Sequence, residues 1–178
     1  MDFITEIDFK ILDFIRETLS CSFSDIFFKF ITFLGDAGIL WILGAFILIA
    51  TKKYRVCGIV MLCGMLFGLI TGNFILKPLI ARPRPCWINT AVTLLIENPD
   101  DYSFPSGHTL SSFISCTVLG LYERKFLFVA LPLASLIALS RLYLYVHFPS
   151  DVIFAVLYGV LIGFFAYKIT EKYIRKAD

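Results

Sequence analysis

The sequence predicts an all-α polytopic membrane protein, with about six transmembrane helices behind an N-terminal amphipathic helix. Three observations carry that prediction. Hydrophobic residues make up 58% of the 178 residues and charged ones only 17%. Mean hydropathy is +0.83, where a soluble domain is apolar at roughly 45–50% of its positions. Apolar runs near membrane-crossing length also recur along the whole chain, separated by short charged or Pro/Gly-rich breaks. No run of polar sequence is long enough for a separate soluble module, so residues 1–178 are expected to form a single domain.

Residues 3 to 19 place Ile4, Ile7, Ile11, Leu12, Ile15 and Leu19 on roughly one helical face, with Glu6, Lys10, Asp13 and Glu17 elsewhere. That pattern suits a helix lying in the membrane interface, with Asp8 as an anomaly on the apolar face. The first twenty residues lack the basic start and clean apolar block of a cleavable signal peptide. From Phe23 to Ala50 the chain is mostly apolar, but Gly35-Asp36-Ala37-Gly38 interrupts it as a turn would. Two spans are expected, about 22 to 34 and 37 to 51. The first is shorter than the roughly 20 residues of a full crossing, so it either begins earlier, near Thr18, or is re-entrant.

Lys52-Lys53-Tyr54-Arg55 is a basic break, and Val56 to Leu76 is long and apolar enough to cross. Residues 77 to 104 form the one long polar connection, in which Pro78, Pro83, Pro85 and Pro99 prevent a continuous helix. Asp36, Glu97, Asp100 and Asp101 read as solvated loop residues. Further spans are expected at about 105 to 121, 126 to 143 and 149 to 168. With six spans, Lys52, Lys53, Arg55, Arg124, Lys125, Lys168, Lys172, Arg175 and Lys176 share one face with the amino terminus, and the positive-inside rule makes that face cytoplasmic. Five cysteines, at 21, 57, 63, 86 and 116, show no paired CxxC spacing and read as buried free thiols. The net charge of +2 is too small to argue for a nucleic-acid partner.

Three segments depart from this apolar background. The first is Lys77 with Arg84-Pro85, six residues between Lys and Arg. The second is Pro105-Ser106-Gly107-His108. The third is Ser140-Arg141, then His147 after five residues and Asp151 after three more. By these three motifs the chain is identified as a member of the type 2 phosphatidic acid phosphatase superfamily, which also includes vanadium haloperoxidases and glucose-6-phosphatase. The apolar spans exclude a soluble haloperoxidase. Its compact layout resembles bacterial undecaprenyl-diphosphate phosphatases, phosphatidylglycerophosphate phosphatases and lipid A phosphatases.

Elementary chemistry assigns the same residues compatible roles. Phosphoryl transfer needs positive charge and fixed donors around three equatorial oxygens, which Lys77, Arg84 and Arg141 supply. Ser106 and Gly107 are expected in the first turn of a helix with Pro105 at its first position, presenting unpaired N–H groups, a hydroxyl and open space to the phosphate. His147 fits a nucleophile, with Asp151 four residues on reaching its second ring nitrogen. His108 fits the group that protonates the leaving oxygen and later helps activate water. Arg82 lies outside the fixed spacing and contacts substrate, lipid headgroups or nothing. No metal and no other cofactor is required by this arrangement.

The resemblance implies a phosphohistidine intermediate on His147 and a membrane lipid phosphatase acting on a lipid phosphate or diphosphate. The outward-facing site favours undecaprenyl diphosphate, with phosphatidylglycerophosphate, phosphatidic acid and lipid A as alternatives. A lipid phosphotransferase would use the same intermediate. A non-catalytic lipid-phosphate binding or transport protein would use the pocket alone. The expected partners are the lipid substrate and the surrounding membrane lipids, and the site is expected on the extracytoplasmic side of the cell membrane.

Overall fold

A computed structural model of the protein describes residues 3–174, and among them every regular element is helical. Four stretches are long and apolar enough to cross a membrane: Ser22–Ala50, Arg55–Ile88, Arg124–Tyr143 and Pro149–Lys172. The described helices therefore do not show the expected six spans. The difference arises in two places: the Gly-rich tetrad joins the first two expected spans into one stretch, and the helix over the expected 105–121 span, Gly107–Tyr122, is only 16 residues long and is not among the four. Helices α2 (Ser22–Gly35) and α3 (Ile39–Ala50) are joined by one tight 3-10 turn, Asp36–Gly38, and make a single 29-residue stretch instead of two crossings. Ala37 and Gly38 take positive φ there, 49° and 68°. The left-handed backbone favours glycine at position 38, while a Cβ there would meet only the movable end of Met65, 2.7 Å away at Cε.

Helix α4 (Arg55–Gly68) runs directly into a π-helical stretch, Leu69–Leu76, and then α5 (Lys77–Ile80). The widened turns place Asn73 and Lys77 at the end of an apolar rod, a position where π-helical segments commonly serve a site. The connection expected to be irregular over 77–104 thus contains α5 and a second short helix, α6 (Pro85–Ile88). Helix α7 (Gly107–Tyr122), 16 residues long, stands at the centre and packs against α9 (Pro149–Ile174), α8 (Leu127–Tyr143) and α4. Gly159 and Gly163 let α9 approach closely. A Cβ on Gly159 would lie 3.0 Å from the Leu110 carbonyl, and one on Gly163 2.9 Å from that of Ile114. Small residues at such crossings are how helices associate where lipid provides no hydrophobic drive. Outward-facing Phe74, Leu79, Phe128, Val129 and Leu157 stay exposed, as expected of a lipid-facing perimeter.

The two ends of the bundle differ in chemistry. At one end Tyr54 meets Phe126 and Tyr122 meets Tyr167, which gathers the basic breaks at 52–55 and 124–125 with the distal part of α9. Arg175 and Lys176 lie outside the described residues. At the other end sit all three motif segments. Helix α1 (Phe3–Leu19) also lies at this second end, because Asp8, Asp13 and Arg16 bond to residues 143–150. That corrects the expected placement of the amino terminus with the basic face. Phe3, Ile4, Ile7, Ile11 and Phe14 of α1 face outward, while Leu12 packs under Tyr145 and Phe148. Asp8, the sequence anomaly, is on the inward side of the helix and buried. The five cysteines are free thiols, but only Cys57, Cys86 and Cys116 are buried as expected, while Cys21 and Cys63 are exposed.

Replacing Gly163 with Val puts a branched side chain against the α7 backbone. It should destabilise the protein by roughly 1–3 kcal/mol, measured as loss of monodisperse, helical protein on heating in detergent. A neutral effect would contradict the close α7–α9 crossing.

Candidate active site

Each predicted site residue lies at a helix end or in a connection, which is why residues up to 74 positions apart meet at one end of the bundle. Lys77 ends the π-helical stretch, Arg84 precedes α6, Arg141 is in the last turn of α8, and Asp151 is in the first turn of α9. Ser106 is the N-cap of α7, its hydroxyl facing Thr109, so Gly107 opens the helix and Pro105 stands before the cap instead of at the first helical position. Lys77, Arg84, Gly107, His108 and Arg141 line a common cavity of about 510 Å³. Ser106 is buried behind it, and its hydroxyl is engaged in the cap.

The cations are buried to an extent that demands compensation: Lys77, Arg84 and Arg141 are 6%, 2% and 4% exposed. Asp101, expected to be a solvated loop residue, provides much of it. Its carboxylate accepts from Lys77 Nζ at 2.5 Å and from Arg84 Nη2, and its backbone carbonyl accepts from Arg84 Nε at 2.7 Å. Burial pushes the Asp101 carboxyl up, but Lys77 and Arg84 outweigh it and hold the group below the ordinary carboxylate value. Arg141 donates to Thr32 Oγ1, while its Nε has no partner among the described residues. An orphaned guanidinium N–H, buried beside a cavity, is a donor available to an anion.

His147 is 2% exposed, in a five-residue connection between α8 and α9. Tyr145, at φ 62°, turns this connection, and α1 secures it through the Tyr145 hydroxyl, which donates to Asp13 at 2.7 Å. Arg84 Nη1 donates to the Val146 carbonyl at 2.7 Å and lies 3.2 Å from His147 Nε2. A guanidinium has only donors. Nε2 is therefore the lone-pair nitrogen, and the proton of the neutral ring sits on Nδ1. Asp151 Oδ2 stands 3.9 Å from Nδ1, too far for a hydrogen bond, so the expected direct contact is open and Nδ1 has no partner among the described residues. Burial first, then the charges of Arg84, Arg141 and Lys77, keep the His147 imidazole well below its ordinary 6.5.

Asp151 is instead held from three other sides. Ser103 Oγ donates to it at 2.5 Å, the Phe148 N–H at 3.0 Å, and Arg82 Nη1 at 2.5 Å. Arg82 thus does not line the cavity but ties the site to α1. Its Nη2 donates to Asp8 at 2.9 Å, its guanidinium lies 4.1 Å over the Phe148 ring, and Asp8 also accepts from the Ser150 N–H at 2.9 Å. Asp36, another carboxylate expected to be merely solvated, lies 2.7 Å from His108 Nε2. Asn73 packs against Gly107, where a Cβ would come 3.2 Å from its Oδ1.

The remainder of the cavity is apolar. Ile42, Leu62, Leu66, Leu69, Leu110 and Ile114 line an arm between α3, α4 with its π-helical extension, and α7. Charged groups at one end and an aliphatic arm at the other suit an amphiphile carrying an anionic head.

The PAP2 superfamily profile matches residues 57–175. The undecaprenyl-diphosphatase of Sulfolobus acidocaldarius is 32% identical over 131 residues, covering 73% of this chain and 63% of that protein. This chain spans 49% to 63% of the length of the first curated relatives it matches. Among solved structures, Aquifex aeolicus LpxE superposes with a TM-score of 0.73 at 26% identity, covering 91% of this chain and 95% of that one. A PAP2 type phosphatidylglycerolphosphate phosphatase from Bacillus subtilis superposes with a TM-score of 0.75, over 97% of this chain and 88% of that one. At 23% identity the second shows the shared fold.

Two outcomes follow from the geometry. The chain has two histidines, so in ¹⁵N-histidine NMR of untagged, phosphate-free protein the His147 ring should stay neutral as pH falls through 6.5. A normal titration at 6.5 would contradict its burial among cations. Asp101→Asn removes a carboxylate that competes for Lys77 and Arg84. Inhibition by inorganic phosphate should tighten roughly 2- to 10-fold, the worth of two half-exposed ion pairs, and unchanged or weaker inhibition would show that Asp101 is no competitor.

Proposed function

We propose that this chain, which belongs to the PAP2 superfamily, is a membrane lipid phosphatase that hydrolyses a lipid phosphate or diphosphate through a phosphohistidine on His147. The observation that carries the reading is the cavity itself, where Lys77, Arg84, Arg141, Gly107 and His108 surround one end and aliphatic side chains the other. The phosphate displaces Asp101 and takes Lys77 and Arg84 as counter-ions, with the free Nε of Arg141 and the first N–H groups of α7 completing the cradle.

Arg84 leaves Nε2 of His147 for the phosphate oxygens, and the freed lone pair attacks phosphorus as the bond to the leaving oxygen breaks. His108 gives that oxygen a proton. The proton stays on Nδ1 of the phosphorylated ring and faces Asp151, whose carboxylate has only to close the 3.9 Å gap to accept a hydrogen bond from it. In the second half, His108 takes a proton from water, the water oxygen attacks phosphorus, and the bond to Nε2 breaks, releasing inorganic phosphate and restoring neutral His147. The lipid tail leaves along the apolar arm.

The relative named undecaprenyl-diphosphatase supports a polyprenyl diphosphate as substrate. The basic breaks at the end opposite the site support an extracytoplasmic active face. Purified protein in detergent with EDTA is expected to release phosphate from undecaprenyl diphosphate faster than from phosphatidic acid or phosphatidylglycerophosphate. His147→Ala should lower every rate at least about a thousandfold. Release undiminished in the variant would sink the histidine mechanism, and a different ranking would reassign the headgroup.

A further inference from the structure

Asp36 belongs to none of the three motifs and stands 72 residues from the histidine it touches. It sits at the kink between α2 and α3, where its backbone N–H caps α2 by donating to the Phe33 carbonyl. The side chain is not needed for that cap. Among the described residues, the only hydrogen-bond partner of the carboxylate is His108, at 2.7 Å through Nε2. The neighbourhood is shaped around this contact. Gly35 lies flat under the imidazole, where a Cβ would come 2.8 Å from His108 Cδ2, and the left-handed Ala37 and Gly38 fix the turn that aims Asp36.

Nδ1 of His108 has no protein partner among the described residues, and His108 lines the cavity with Lys77, Arg84 and Arg141. We propose that Asp36 is the positioning residue for His108: it holds Nε2–H and thereby presents Nδ1 to the leaving oxygen. This rests on the reading of His108 as the acid and base of the reaction. In the acid step the ring carries both protons, Nε2–H to Asp36 and Nδ1–H to the leaving oxygen. After that proton is given, the neutral Nε2–H ring has its lone pair on Nδ1, which then accepts the proton of the attacking water. A single carboxylate contact thus serves both halves, and its negative charge offsets a fourth positive charge in a pocket that already holds three cations.

The test compares two small soluble monoesters. Hexyl phosphate loses an alkoxide that must be protonated as it departs, whereas p-nitrophenyl phosphate loses a stable anion that needs no acid. The quantity is kcat/KM, which reports formation of the phosphoenzyme alone. Asp36→Asn should lower it about 10- to 100-fold for hexyl phosphate and less than about threefold for p-nitrophenyl phosphate, and His108→Gln should show the same selectivity with a larger loss. Asp36→Ser, equally compatible with the backbone cap, is the second variant if Asn perturbs folding. An equal loss on both substrates, or no loss on either, with a selective His108→Gln, overturns the role of Asp36 and leaves that of His108 standing. An unselective His108→Gln overturns the acid reading, and the role of Asp36 falls with it.

Discussion

Positive charge at the end of an apolar bundle is the constraint on which the rest of the structure depends. Lys77, Arg84 and Arg141 line one cavity and are nearly inaccessible to water, and Arg82 lies close behind them. Like charges so placed repel, and each has lost most of its hydration. The bundle is stable with them only because carboxylates from distant parts of the chain converge on the same end: Asp8 from α1, Asp36 from the kink, Asp101 from the long connection and Asp151 from α9. The fold at this end is a charge balance, and the helices supply the places from which its members are projected.

That balance is divided in a way that bears on function. Asp8 and Asp151 are almost fully buried, and they enclose Arg82 between them. Asp36 and Asp101 are about half exposed, and they face the two groups a phosphate would meet, the ring of His108 and the Lys77–Arg84 pair. The first set has no access to a ligand and holds α1, the long connection and the start of α9 together. The second set can yield to a ligand, because water reaches it and an incoming dianion replaces its charge.

The three motifs were legible because phosphate chemistry restricts residue types and because helix ends restrict spacing. Every residue predicted from them is found at the same end of the molecule, although Ser106 caps α7 instead of facing the cavity. The carboxylates were not legible. Asp36 in a Gly-rich turn and Asp101 in a polar connection look the same in sequence whether they face water or a buried cation, since only tertiary structure supplies the partner. Asp8 did leave a signal, an acid on the apolar face of an amphipathic helix, which is how a buried ion pair reads before its partner is known. The count of six spans is not confirmed, in part for a related reason: Gly35 to Gly38 has the composition of a turn, and in the fold it turns the chain by a kink that lets α3 continue in the same crossing. The side on which α1 lies followed from that miscount.

Arg84 joins the charge balance to the chemistry. It donates to Asp101 on one side and contacts Nε2 of His147 on the other. If His147 is the nucleophile, as proposed, its lone pair is free to attack only once Arg84 has turned to another partner. A phosphate offers that partner, since bidentate contact to its oxygens is stronger than a contact to a neutral imidazole. On the proposed reading, the group that recognises the substrate is also the group whose departure frees the nucleophile. Lysine at position 84 could still contribute charge, but a single ammonium cannot span the Asp101 carboxylate, the Val146 carbonyl and the ring nitrogen at once, and the two roles would separate.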